Sequence, residues 1–171
     1  MRALHIIATC IAALAVLLLA LPLLWRVATG DYYMTVTGES MRPTYDVGDV
    51  LVVQEPTGAE LTTIGQIVVV TFTPGDRSSQ YVHRVESVTP EGTRLKGDGN
   101  DTADPVLVDR SQLEGTPRYV LTGTSAAVFT SLQQPLIRFA LGAIIVGWIL
   151  VASRLSAVRR RTPRAARQAI A

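Results

Sequence analysis

Hydrophobic and polar positions divide the chain into three kinds of stretch. Residues 3–25 carry no charged side chain apart from a protonatable His5. About 20 such residues cross the hydrocarbon core of a bilayer as a helix, so this run predicts a transmembrane anchor. A second apolar run, residues 139–153, is bounded by Arg138 and Arg154 and is short on its own. It reaches spanning length only if Leu136, Ile137 and a snorkelling Arg138 join it. Between the two runs the period changes. Residues 50–54, 67–72, 81–88, 94–96 and 118–122 are short runs rich in Val, Ile, Tyr and Thr, separated by Pro, Gly and Asp. This alternation of β-branched runs and turn residues predicts strands. Thr73-Pro74-Gly75-Asp76 reads as the turn of a hairpin joining two of them. Val68, Val69 and Val70 do not alternate with polar residues, which suits a strand covered on both faces.

The layout expected from this pattern has four parts. Residues 1–28 form a cytoplasmic N-terminus and anchor helix, 29–135 an extracytoplasmic β-rich domain, 136–153 a second transmembrane helix, and 154–171 a basic cytoplasmic tail. The fold class is mainly β, a membrane-anchored all-β domain flanked by transmembrane helices.

Charge sharpens this layout. The chain has 171 residues and a formal net charge of +2, which by itself invites a nucleic-acid reading. The distribution argues against one. All 14 acidic residues lie between Asp31 and Glu114, and the segment 30–137 that contains them holds only seven basic residues, a formal −7. The remaining basic residues are Arg2, Arg26, Arg138 and six arginines from Arg154 to Arg167. Positive flanks stay in the cytoplasm, so both termini are expected inside and the acidic domain outside, with Arg26 outvoted by the tail. If residues 139–153 do not span, the tail lies outside or along the membrane, and the first helix still exports the domain. The tail itself reads either as a solvated end or as a binder of anionic lipid.

A cleaved signal peptide is the other reading of the first helix. Its apolar run is far longer than the 7 to 15 residues usual for that role, and Trp25-Arg26 replaces a small-residue exit, so an uncleaved anchor is favoured. Cys10, the only cysteine, lies within this helix, which leaves the exported domain without disulfide or thiol chemistry. His5 reads as a residue near the membrane interface.

Ser40 lies in Gly38-Glu39-Ser40-Met41-Arg42-Pro43, a short step beyond the anchor. A serine hydroxyl is a poor nucleophile until a base takes its proton. The exported segment offers few bases: Lys96 is the only lysine of the chain, and His83 the only histidine outside the first helix. In Tyr81-Val82-His83-Arg84-Val85, strand alternation puts His83 on the same face as Tyr81 and Val85. Imidazole accepts a proton at neutral pH without special tuning. Lysine needs burial to lower its pKa by several units, and the neighbouring Asp98 opposes that shift. His83 is therefore the preferred base.

The ordered segments Ser40-Met41-Arg42-Pro43, Gly48-Asp49-Val50, Gly65-Gln66-Ile67-Val68, His83-Arg84-Val85 and Lys96-Gly97-Asp98-Gly99-Asn100 resemble the sequence boxes of type I signal peptidases. The resemblance covers residues 38–123. In the usual bacterial branch a lysine precedes the Arg-Val pair; His83 in its place is similar to the endoplasmic-reticulum and archaeal branch, also found in some Gram-positive bacteria. It implies a signal-peptidase-like (LexA-like) β-fold, with serine and base at the edge of an apolar groove near lipid. It also implies two acidic residues after Lys-Gly, matching Asp98 and Asp104. Asp104 is expected to orient His83 and Asp98 to support it, while Asp101 between them leaves the assignment open. Substrate is expected to add as a strand, with pocket walls from Val36 and Met41. Gly38 stands where some relatives carry a serine that assists the oxyanion, so a second donor must come from elsewhere, and glycine there allows an unusual backbone dihedral.

The expected activity is serine endopeptidase cleavage of signal peptides from exported preproteins after small residues. The expected partners are those signal peptides, the lipid bilayer and, as a candidate, the secretion machinery, with no nucleic acid; no cofactor and no metal are required. Each motif alone has a plainer reading: Ser-x-x-Pro as a turn, a strand histidine as an exposed residue, and the Asp-rich segment 98–104 as a turn or calcium loop. Two other classes stay in view, a catalytically dispensable binding or accessory module of the secretion machinery and a peptidase of the same fold that cuts itself or a dedicated partner, as repressor-type peptidases do.

Overall fold

Seven strands follow the punctuation of the middle of the chain: β1 (Tyr32–Thr35), β2 (Val50–Gln54), β3 (Ile67–Thr71), β4 (Gln80–Thr89), β5 (Gly92–Lys96), β6 (Leu107–Val108) and β7 (Leu113–Leu121). The computed structural model describes the backbone of residues 2–168 and the side-chain surroundings of residues 6–152. The strands form one sheet in the order β1-β2-β7-β3-β4-β5-β6, with every neighbouring pair antiparallel. The fold is mainly β, and the sheet is curled.

The curl originates in β7. Its C-terminal part pairs with β2 and its N-terminal part with β3, and the register shifts in both ladders. Gly115 sits between them with φ 153°, and a Cβ there would lie 2.1 Å from the Gln54 carbonyl oxygen. Only glycine allows the two strands to approach so closely at that bend. Pro117 pairs with Val53 at the β2 register shift, where a missing N–H is tolerated. This is why β7 starts five residues before the run expected from the sequence, since Glu114-Gly115-Thr116-Pro117 hides the strand behind turn-forming residues.

Packing explains the three valines of β3. Val69 joins one buried cluster with Tyr32, Met34, Val36, Met41, Leu51, Val53 and Val82. Val68 and Val70 join a second, with Leu61, Val85, Leu95, Val108 and Leu113. Successive strand residues point to opposite faces, so β3 is covered on both sides, as its lack of alternation predicts. All three valines are fully buried, each gaining about 1.5 to 3 kcal/mol over an exposed position. β3 and β4 form the expected hairpin, with Ile67 opposite Arg84 and Thr71 opposite Gln80.

Helices flank the strands. Helix α1 (Arg2–Thr29) leads directly into β1, and α2 (Gly123–Gln133) follows β7. Neither β1, β6 nor α2 is among the elements the sequence pattern predicts: β1 and β6 are too short to show a period, and α2 is built largely of small and polar residues. Residues Leu24–Thr130 form one compact unit. Within it the last turn of α1 is tied to the sheet through the buried Asp31, which accepts from Trp25 Nε1 at 3.0 Å and pairs with Arg118 at 3.2 Å.

The second unit combines α1 up to Leu23 with the chain from Ser131 onward, including α3 (Pro135–Gln168). Residues Ile6–Thr29 and Pro135–Ala152 are two stretches long and apolar enough to cross a membrane. Arg138, within the second, donates to the Leu19 carbonyl at 3.1 Å and to Gln133 Oε1 at 2.9 Å. A guanidinium in an apolar stretch needs such partners. Helix α3 continues past residue 153 without a break. The side chains of His5 and of the arginines from Arg154 onward lie outside the described residues.

Candidate active site

The serine segment is positioned by its C-terminal neighbours. Met41 is 1 % exposed and sits in the first buried cluster, so its side chain anchors the backbone next to Ser40. Turn hydrogen bonds from Arg42 N–H to the Glu39 carbonyl and from Tyr45 N–H to the Met41 carbonyl, each 3.0 Å, shape the segment around it. His83 lies on β4 opposite Val68, between Val82, which points into the first cluster, and Arg84. Alternation turns the imidazole to the face opposite Val82, beside the Tyr81 ring at 5.1 Å.

The two segments meet at the imidazole. His83 Nε2 is 3.0 Å from Ser40 Oγ, and Nδ1 is 2.7 Å from Asp104 Oδ2. The carboxylate can only accept, so Nδ1–H donates to Asp104 and Nε2 is left to accept from the Ser40 hydroxyl. The Asp104 backbone is held on both sides: its N–H donates to the Leu95 carbonyl, and its carbonyl accepts from Arg94, each at 2.8 Å. A carboxylate so fixed stabilises the imidazolium formed when the serine proton moves.

Asp98 has a different task. Arg84 donates to both of its oxygens, at 2.8 and 2.6 Å, and the Thr44 hydroxyl donates to one of them. Arg84 also donates to the Gly65 carbonyl at 2.8 Å. Asp98 thus ties the segment after Ser40 to the strand of His83. The Arg84 hydrogen bonds, with the one from Thr44, hold its carboxyl below the usual range, while Arg84 is raised by the same bonds. Asp101 is exposed, and among the described residues no group of three or more His, Cys, Asp or Glu converges as a metal site would require.

Close packing completes the site. Gly99 N–H donates to the Ser40 carbonyl at 2.8 Å, pressing the 97–100 loop against the serine segment. A Cβ on Gly97 would lie 2.4 Å from the Ser40 carbonyl oxygen and 2.9 Å from His83 Nε2. No side chain fits there. Lys96 instead borders a separate depression of about 210 Å³ with Arg84, Glu86 and Asp98, and is not a hydrogen-bond partner of Ser40.

On the Asp104 side of His83 the surface opens into a groove of about 570 Å³ lined by Phe72, Tyr81, Pro105, Val106, Val108 and Gln112. Phe72 and Tyr81 stack with ring centres 4.5 Å apart, and Phe72 and Val106 are 70 % and 65 % exposed. Burial, followed by the negative Asp104, pushes the Tyr81 phenol up to about 12, so it stays a neutral wall. Beside the groove, residues 80–83 of β4 pair with β3 on one edge, while β5 pairs with β4 only from Arg84 onward.

The expected pocket residues need correction. Val36 and Met41 are 3 % and 1 % exposed and belong to the buried cluster, so neither offers a wall to a substrate. Gly38 is exposed with open space around it, and its φ is not positive, so its backbone freedom is not used. Apolar residues near a nucleophile read alike in a sequence whether they face inward or outward. The apolar lining comes from Phe72, Tyr81 and Val106; the one available signal was that Tyr81 shares the face of His83.

No curated protein matches the chain. The Peptidase S24-like family matches residues 14–116, more than half of the chain, a span holding Ser40, His83 and Asp104. With the match covering more than half of its length, the chain belongs to the Peptidase S24-like family, within the superfamily of serine peptidases that includes LexA and the signal peptidases.

Proposed function

We propose that this serine peptidase is a membrane-bound signal peptidase I of the Ser-His branch, which cuts signal peptides from exported preproteins after small residues. The observation that carries the reading is His83 bridging Ser40 and Asp104 at 3.0 and 2.7 Å. Two apolar helices of spanning length and an acidic domain between basic flanks support a two-span topology in the cell membrane, catalytic domain outside. A self-cleaving repressor-type peptidase needs no such helices.

His83 Nε2 takes the Ser40 proton as Oγ bonds to the carbonyl carbon of the scissile peptide. The tetrahedral oxyanion collapses, the C–N bond breaks, and the imidazolium hands its proton to the leaving amine. Water then attacks the acyl ester while His83 takes its proton. The C–Oγ bond breaks, Oγ recovers the proton, and Ser40 is restored. Asp104 holds the imidazole tautomer throughout. Substrate lies along the unpaired edge of β4 at residues 80–83 as an added strand.

The test is Ser40→Ala in a strain lacking a second peptidase, with maturation of a secreted precursor as the readout. Accumulation of uncut precursor is expected. Unchanged maturation would sink the reading in favour of an accessory module, and cleavage confined to the chain itself would turn it to a self-processing peptidase.

A further inference from the structure

The carboxylate that orients His83 sits on an irregular segment. Residues 97–106 join β5 to β6, and among the described residues the backbone of 101–105 is held by two hydrogen bonds, both at Asp104. Both partners are neighbours on β5. The Asp104 N–H donates to the Leu95 carbonyl, and the Arg94 guanidinium donates to the Asp104 carbonyl, each at 2.8 Å. The first bond runs from main chain to main chain and does not depend on which side chains are present. The second depends on one side chain.

That side chain grips a particular peptide. Pro105 follows Asp104, so the peptide between them has no N–H, and its carbonyl is the only polar handle it offers. Proline also confines the residue before it to extended conformations, which narrows the Asp104 backbone further. Arg94 is half-buried and, among the described residues, takes part in no ion pair. Its guanidinium is spent on holding a main-chain oxygen rather than on neutralising a carboxylate.

We propose that Arg94 is a positioning residue for the reaction: by holding the peptide between Asp104 and Pro105 it aims the Asp104 carboxylate at His83 Nδ1 and so fixes the tautomer whose Nε2 faces Ser40. This rests on the acyl-transfer reading of the site. The hydrogen bonds of His83 go to Asp104 and Ser40, so Arg94 acts on the imidazole only through Asp104. A carboxylate displaced by an ångström leaves the imidazole free to turn, and a misalignment of that size costs about 10²-fold in rate.

The test uses the full-length chain in detergent micelles with two substrates, a precursor peptide carrying alanine one and three residues before the cut, and p-nitrophenyl acetate. Arg94→Met keeps the aliphatic stem and removes the donors. It is expected to lower kcat by about 10- to 100-fold on both substrates, with KM for the peptide within about twofold. Arg94→Lys, which keeps a charged donor, should recover part of that loss. The deciding measurement is a double-mutant cycle with Asp104→Asn under single-turnover conditions. Because Arg94 acts through Asp104, Arg94→Met should cost less than about threefold once residue 104 has lost its carboxylate. A structural role alone would give the same loss in both backgrounds. Losses that multiply, or an Arg94→Met kcat within about threefold of the parent, overturn the role. Arg94→Gln carries the same cycle and the same criteria if thermal denaturation shows Arg94→Met unfolded. If the parent hydrolyses the ester through Ser40 but leaves the precursor uncut, the signal-peptidase reading fails while the ester still tests Arg94.

Discussion

The two sides of the His83 ring are built on opposite principles. On the Nε2 side, Ser40 and the 97–100 loop are packed so tightly that one methyl group on Gly97 has no room. On the Nδ1 side, beyond Asp104, an apolar groove of about 570 Å³ lies open with Phe72 and Val106 at its lips. The tight side suits chemistry, because a reacting atom displaced by an ångström loses its alignment. The open side suits recognition, because an apolar groove accepts side chains of several shapes at modest energetic cost. Asp104 stands at the boundary and belongs to both.

Perturbing that boundary should have the largest effect. Asp104→Asn leaves the shape but removes the carboxylate that fixes the tautomer, and kcat is expected to fall on the order of 10⁴-fold, as for the corresponding change in a well-studied serine protease. Single-turnover cleavage of a precursor peptide measures this. A fall below tenfold would mean that Asp104 only lines the groove.

The open side should give a smaller and different effect. Phe72→Ala removes one lip without touching Ser40 or His83. It is expected to raise KM for a peptide with a bulky apolar residue upstream of the cut by about tenfold, with kcat nearly unchanged. Peptides with alanine at that position should be nearly indifferent. Equal losses for both peptides would show that the groove does not select.

The smallest effect should come from the clamp beneath the tight side. The Asp98 carboxyl is held below its usual 3.8 chiefly by the Arg84 hydrogen bonds, so folding favours its charged form. Such a group stabilises the fold above the unfolded pKa, and that contribution fades as pH falls through the lower folded value. Asp98→Asn is expected to lower Tm by about 2 to 4 °C at pH 7, a gap that narrows from about pH 4 downward. Thermal denaturation across this range reads it directly, and a gap that widens in acid would contradict the assignment.

The strands of this chain were legible where the period was clean. The boundaries expected for β2 match those observed, and the valine run of β3 predicted its burial on both faces. Where glycine and proline interrupted the pattern, as in β7, half a strand was hidden, because the bend that needs them is set by another strand. Ser40 and His83 stood out because the segment between the apolar helices offers so few titratable groups, and the fold brings the two side chains to 3.0 Å. Val36 and Met41 were misplaced because hydrophobicity carries no direction.

Residue types and their order were enough to mark two apolar helices, a β-rich domain between them and a serine with one histidine to pair with it. They were not enough to choose among Asp98, Asp101 and Asp104, three identical side chains within seven residues. That choice was made by tertiary contacts: Arg84 and Thr44 hold Asp98, β5 holds the Asp104 backbone, and Asp101 is left in solvent. The physical reason is that a carboxylate's role depends on which donors lie within about 3 Å, a distance that folding sets and sequence spacing does not.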